Sequence, residues 1–257
     1  MLYRNNRDLF IEVSHGPYIV DHNILASDYA LDNYAQGGAY LHNLICGKMV
    51  LKKVLERSTP YHLPHTTEIK GFSVVQAGDD RFMNNVFIGT GKPDERISPF
   101  FEAGVAMTGT GHFDQYLTSL EEYIGQGDEK PGDVERFLEI EQPVYIEHNV
   151  YDQQAVRFKK EETGVTFDQS AHVEIDDSGD GVDIIITLPE GFENGKVPVV
   201  STDQLERTRI SDAEFESPSG EAIVLNRDFN GTTASDSRLP GPFEGVTSGK
   251  QTIRVSI

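Results

Sequence analysis

A carboxylate on a strand is the first feature of this chain that invites a chemical reading. The segment FIEVSHGP gives Glu12 the same parity as Phe10 and Ser14, and His15-Gly16-Pro17 follows as a turn. Glutamate is uncommon among β-formers, so Glu12 is a candidate general acid or base. His15, just behind it, is placed to hydrogen-bond a ligand or to orient Glu12. Gln36 before two glycines, Tyr61, His62, His65 and the triplet Asp79-Asp80-Arg81 add hydrogen-bonding groups suited to sugar hydroxyls. Each alone has an ordinary explanation: the histidines as loop residues, Asp80 with Arg81 as a surface ion pair. Metal chemistry is not indicated. His62 and His65 have a proline between them, and the DDSGDG stretch has Thr187 where a calcium loop would end in glutamate. No phosphate-cradling glycine loop or Gly-x-Ser-x-Gly elbow is present, so no cofactor and no metal are expected.

Scattered groups make a site only if the fold stacks them. VDHNIL, YLHNLI and FMNNVFI are short strands with an asparagine in the same place, Asn23, Asn43 and Asn85. Their spacing fits a period of about 21 residues with one unmarked turn, which predicts a parallel β-helix whose turn asparagines stack along the axis. Successive strands lie about 4.8 Å apart, so in-register side chains converge in one groove. TTEIKGFSVV is expected to be the unmarked coil, and HNLICGKMV a buried strand. Residues 113–124 have helical apolar spacing. The run GQGDEKPGD marks a linker. Beyond it PVYIEHNVYD, the HVEIDDSGDGVDIIITL hairpin and KQTIRVSI alternate in polarity, as antiparallel strands of a sandwich or of a sheet lying on the coils do. The expected division is residues 1–125 as coils with site loops and 126–257 as linker and antiparallel region.

Composition bounds the partners. Forty-two Asp and Glu against 22 Lys and Arg give a net charge of −20, which disfavours nucleic acid and anionic membranes. Cys46 is the sole cysteine, so no intrachain disulfide forms. No apolar run has the roughly 20 residues of a membrane span, and MLYRNNRDLFIEV has no signal-peptide core; a cytoplasmic protein is expected.

LYRNNRDLFIEVSHGPYIVDHNILAS, LDNYAQGGAYLHNLICG, RSTPYHLPHTTEIKG and GDDRFMNNVFIG, with TLPEGFE, STDQLERTRI and RLPGPFE near the end, resemble the C-terminal half of the β-xylosidases of glycoside hydrolase family 120. The resemblance covers nearly the whole chain. It implies an all-β protein, a right-handed parallel β-helix with an associated β-sandwich, acting on xylo-oligosaccharides or related small glycosides by a retaining mechanism. It assigns the acid/base role to Glu12 and makes Asp32, in LDNYAQGG, a residue lining the site. The aspartate nucleophile of that family lies in a Trp-rich motif one coil earlier, and this chain contains no tryptophan.

A retaining glycosidase needs two carboxyls about 5 to 5.5 Å apart, one protonated and one ionised. Glu12, flanked by Phe10, Ile11 and Val13 and facing an anionic aspartate, would suit the acid role. The rivals are a non-catalytic carbohydrate-binding or structural solenoid and a polysaccharide lyase. An uncovered first coil would also lead the chain to self-associate or to bind an upstream segment.

Overall fold

The computed structural model describes residues 1–89, 94–96, 104–126, 138–152 and 154–255. Its parallel stack is built from runs of two to six strand residues broken by turns, and successive turns of the chain contribute strands to three sheets. The first sheet has Leu9–Glu12, Tyr29–Tyr34 and Lys48–Leu51 in parallel. The second has Tyr18–Asp21, Gly38–Leu41, Arg81–Met83 and Tyr145–Glu147. The third runs through Ile24–Leu25, Leu44–Ile45, Val86–Phe87, Val150–Tyr151 and Val165–Thr166, also parallel.

Alternation along these strands sends one column of side chains inward. Leu9, Leu31 and Met49 from the first sheet meet Val20, Tyr40, Phe82 and Ile146 from the second and Leu25, Ile45, Phe87 and Tyr151 from the third. In-register neighbours stack at the strand spacing of about 4.8 Å: Tyr40 on Phe82 at 4.4 Å and Phe87 on Tyr151 at 5.1 Å.

The asparagines form the expected ladder. Asn23 N–H donates to Asn43 Oδ1 (2.9 Å), Asn43 N–H to Asn85 Oδ1 (2.9 Å) and Asn85 N–H to Asn149 Oδ1 (3.0 Å). Each amide also reaches back, as Asn85 Nδ2 does to Tyr40 O (2.8 Å). The preceding residues His22, His42, Asn84 and His148 all sit at φ between 52° and 60°, a left-handed turn that Asn and His tolerate better than most. Glu161 closes the ladder. Its Oε1 accepts from Asn149 N–H (3.0 Å) and its Oε2 from Tyr151 Oη (2.7 Å), and burial raises its pKa.

Four expectations change. Asn43 and Asn85 are adjacent rungs, so the gap between them holds no unmarked coil. Residues 54–75 instead form an antiparallel hairpin, Val54–His62 with Ile69–Val75. PVYIEHNVYD is not antiparallel: its His148-Asn149 step is a further rung, and its two strands continue the second and third sheets. The parallel stack therefore runs to Thr166, past residue 125. The helix expected over 113–124 is a 3-10 turn, Gly111–Phe113, and a short α-helix, Leu120–Gly125. Most of GQGDEKPGD lies outside the described residues. HNLICGKMV divides at Gly47 into strands of two sheets.

Each sheet is covered outside. The hairpin lies on the first, through Val54 and Val75 against Tyr34 and Val50. Residues 200–225 lie on the second, through Val200, Leu205 and Phe215 against Ala39, Leu41 and Met83. An antiparallel sheet of His172–Asp176, Val182–Leu188 and Gly249–Val255 lies on the third.

Asn85→Ala would strand Asn43 N–H in the core and remove the amide's own bonds there, an expected loss of about 3 kcal/mol in urea unfolding, at the upper end of the roughly 1–3 kcal/mol for a buried unpaired group. Asn23→Ala, at the open end of the ladder, is the control, and equal small losses would show that the ladder does not hold the stack.

Candidate active site

Leu9–Glu12 is the edge strand of the first sheet. Its parity turns Leu9 and Ile11, half-buried, toward the core and Phe10 and Glu12 to the outer face, where the hairpin lies. Arg57, on the hairpin strand Val54–His62, places Nη2 2.6 Å from Glu12 Oε1. Among the described residues it is this guanidinium, and not a second carboxylate, that pairs with Glu12. The sequence carries no signal for this pairing, because Arg57 lies in the run that precedes the expected coil and not at a repeat position.

The chain leaves the strand through Val13, at φ 49°, and turns at Gly16. A Cβ on Gly16 would stand 2.1 Å from Gly37 O on the next turn, so only glycine allows the two turns to stack. Between them His15 is buried, 4% exposed. Its hydrogen bonds leave one consistent arrangement. Gln76 N–H donates to Gln36 Oε1 (2.9 Å), which turns Gln36 Nε2 to His15 Nδ1 (2.8 Å). Nδ1 must accept, so Nε2–H donates to Thr59 Oγ1 (2.8 Å), whose hydroxyl donates to Val13 O (3.4 Å). Burial lowers the His15 pKa, in keeping with this neutral ring. His15 and Gln36 thus join the turn after Glu12 to the strand that carries Arg57.

Asp32 lies opposite Phe10, one strand over and two residues short of the position opposite Glu12. That offset is about 8 Å between Cα atoms by strand geometry. The carboxylate is buried and paired with Arg7 (2.6 Å), which in turn covers the Phe10 ring at 3.9 Å. Asp32 is therefore not presented as a nucleophile toward Glu12; its carboxylate is engaged by Arg7.

A cavity of about 700 Å³ opens beside the turn. Val13, Ser14 and His15 form one wall, Tyr61, His62 and His65 at the hairpin end a second, and Glu214, Phe215 and Glu216 a third. Tyr61 packs edge-on to His15 at 6.0 Å. His65 Nε2 lies 2.7 Å from Glu216 Oε2, fastening the hairpin end to the C-terminal segment.

Asp80 and Arg81 are not in this groove; both are fully buried. Asp80 accepts from Gly38 N–H (2.9 Å) and Asn33 Nδ2 (3.0 Å), and burial pushes its pKa up to about 8. Arg81 pairs with Asp79 (2.7 Å), donates from Nε to Leu205 O (2.8 Å), and lies between the rings of Tyr145 and Phe215. It fastens the C-terminal segment to the second sheet. The surface ion pair considered from the sequence is thus a buried strut. Among the described residues no three His, Cys, Asp or Glu side chains are grouped to hold a metal ion.

No protein-family model matches the chain, and no curated protein matches it. The structure is similar to the solved complex of XylC with xylose, with a TM-score of 0.86 and 48% sequence identity over 98% of this chain. The chain spans 38% of the length of that protein.

Proposed function

We propose that this chain is the C-terminal, acid/base-bearing part of a retaining glycoside hydrolase of family 120 that cleaves β-xylosides, built on a right-handed parallel β-helix. The observation that carries the reading is the 48% identity, over 98% of the chain, to a protein solved with xylose bound. The geometry around Glu12 agrees with it. Glu12 is on the edge strand, and among the described residues nothing donates to Asn23 Oδ1, the first acceptor of the ladder. One preceding turn would extend both the sheet and the ladder. Its strand, about 4.8 Å away, would bring a carboxylate on the same face to the separation a retaining mechanism requires.

In this reading Glu12 protonates the leaving oxygen and then takes a proton from the incoming water. Arg57 holds the carboxylate toward the hairpin, and the relay through Gln36, His15 and Thr59 holds the hairpin against the turn. The cavity lined by Tyr61 and His65 receives the leaving-group sugars. Its phenol and imidazole walls offer apolar faces and polar edges to xylose rings.

The test is the product anomer. The chain joined to the preceding turns of its longer relative should release β-xylose first, followed in real time by proton NMR. Release of α-xylose first would exclude the retaining mechanism. Xyloside binding without turnover would favour a carbohydrate-binding solenoid, and cleavage of polygalacturonate in place of the xyloside would favour a lyase.

A further inference from the structure

A second, smaller cavity of about 270 Å³ lies on the outer face of the second sheet, two to three turns along the stack from Glu12. Met83, Tyr145, Pro198, Val200 and Leu205 give it apolar walls, and Glu147, Asp203 and Glu206 stand exposed around it. Carboxylates are abundant in this chain and say little alone. The informative groups are deeper. Asn84 is 1% exposed, and its Oδ1 has no hydrogen-bond partner. The amide orientation is not in question, because Nδ2 donates to Pro198 O (2.8 Å), which can only accept. Tyr145 Oη is likewise buried without a partner. A buried polar atom left unpaired costs about 1–3 kcal/mol, so two beside one cavity call for an occupant.

The occupant's chemistry follows from the lining. Asn84 Oδ1 and three carboxylates accept hydrogen bonds, the hydroxyl of Tyr145 and the ring of His148 can accept or donate, the Gln204 amide adds a donor, and no lysine or arginine lines the cavity. The nearest guanidinium, Arg81, lies over the Tyr145 ring and is already paired with Asp79. Acceptors and carboxylates outnumber donors, which favours a ligand that brings donors and positive charge, and the apolar walls fit a short methylene chain. We propose that this cavity binds an alkylammonium ion of the diamine or lysine type, with one ammonium on Asn84 Oδ1 and Tyr145 Oη and the charged or polar far end at the acidic rim. Binding would brace residues 198–206 against the stack. The site is separate from Glu12 and does not depend on the proposed hydrolase activity.

Titration of the full chain with 1,4-diaminobutane at low salt, by calorimetry and thermal shift, tests this, with 1-butanol and xylose as controls. Saturable binding of the diamine alone is expected, weakened by salt as an attraction to exposed carboxylates must be. Tyr145→Phe should weaken it about tenfold, the loss of one charge-assisted hydrogen bond. Tyr145→Phe should at the same time leave Tm unchanged or higher, because it removes an unpaired buried hydroxyl. A second variant, Glu147→Gln with Glu206→Gln, should weaken binding without unfolding. Absence of diamine binding, equal binding of butanol or xylose, undiminished affinity in both variants, or a lower Tm in Tyr145→Phe would each overturn the proposal.

Discussion

In an enzyme completed by its preceding turns, Glu12→Gln removes hydrolysis of xylosides with poor leaving groups by about 10²- to 10⁴-fold, the usual worth of a positioned general acid. Activated aryl xylosides lose far less in the first step, because a stable phenolate leaves without a proton. Glutamine keeps the size of the side chain and can still bond Arg57, so the turn held by His15 stays in place and Tm serves as the structural control. Steady-state rates on an alkyl and a nitrophenyl xyloside decide the matter. Equal losses on both would make Glu12 a structural partner of Arg57.

The second large effect is all or none. The chain alone should show no turnover of an aryl β-xyloside, and adding a separately expressed upstream fragment of a full-length relative should restore it. Among the described residues no second carboxylate faces Glu12, and Asp32 is buried against Arg7. Removing one member of a catalytic unit costs nearly as much as removing all of it, so Glu12 by itself is insufficient. The same edge leaves Leu9–Glu12 and Tyr18–Asp21 as terminal strands of their sheets, which a parallel strand can extend. Light scattering should show the chain self-associating until the upstream fragment is added. Robust turnover by the chain alone would make Asp32 the next residue to substitute.

The periodic features were legible because they are local. A strand of β-branched or aliphatic residues ending in His-Asn or Asn-Asn identifies one turn of the stack wherever it occurs, and the ladder follows from the asparagine side chain. The parity of Glu12 was equally readable from FIEVSHGP. The ladder pattern even extends to His148-Asn149, where alternating polarity in PVYIEHNVYD obscured it. The 42-residue interval from Asn43 to Asn85 fitted two periods as well as one period plus an insertion, and the spacing could not tell them apart.

Tertiary structure decided what each group faces. Residues 54–75 became a hairpin because the outer face of the first sheet, with Tyr34 and Val50, needed an apolar cover, and that cover brought Arg57 to Glu12. Arg81 and Asp80 adjoin in sequence yet serve different partners, since Leu205 and Arg207 come from more than 120 positions away to bury the guanidinium. His15 is a neutral relay only because Gln36, Gln76 and Thr59 close around it from three other segments. The repeat, the ladder and the face on which Glu12 stands are all set by neighbours within one turn of chain. Which surfaces are covered, and hence which polar residues are struts and which are left to meet a ligand, depended on apolar contacts between distant segments, for which no local pattern exists.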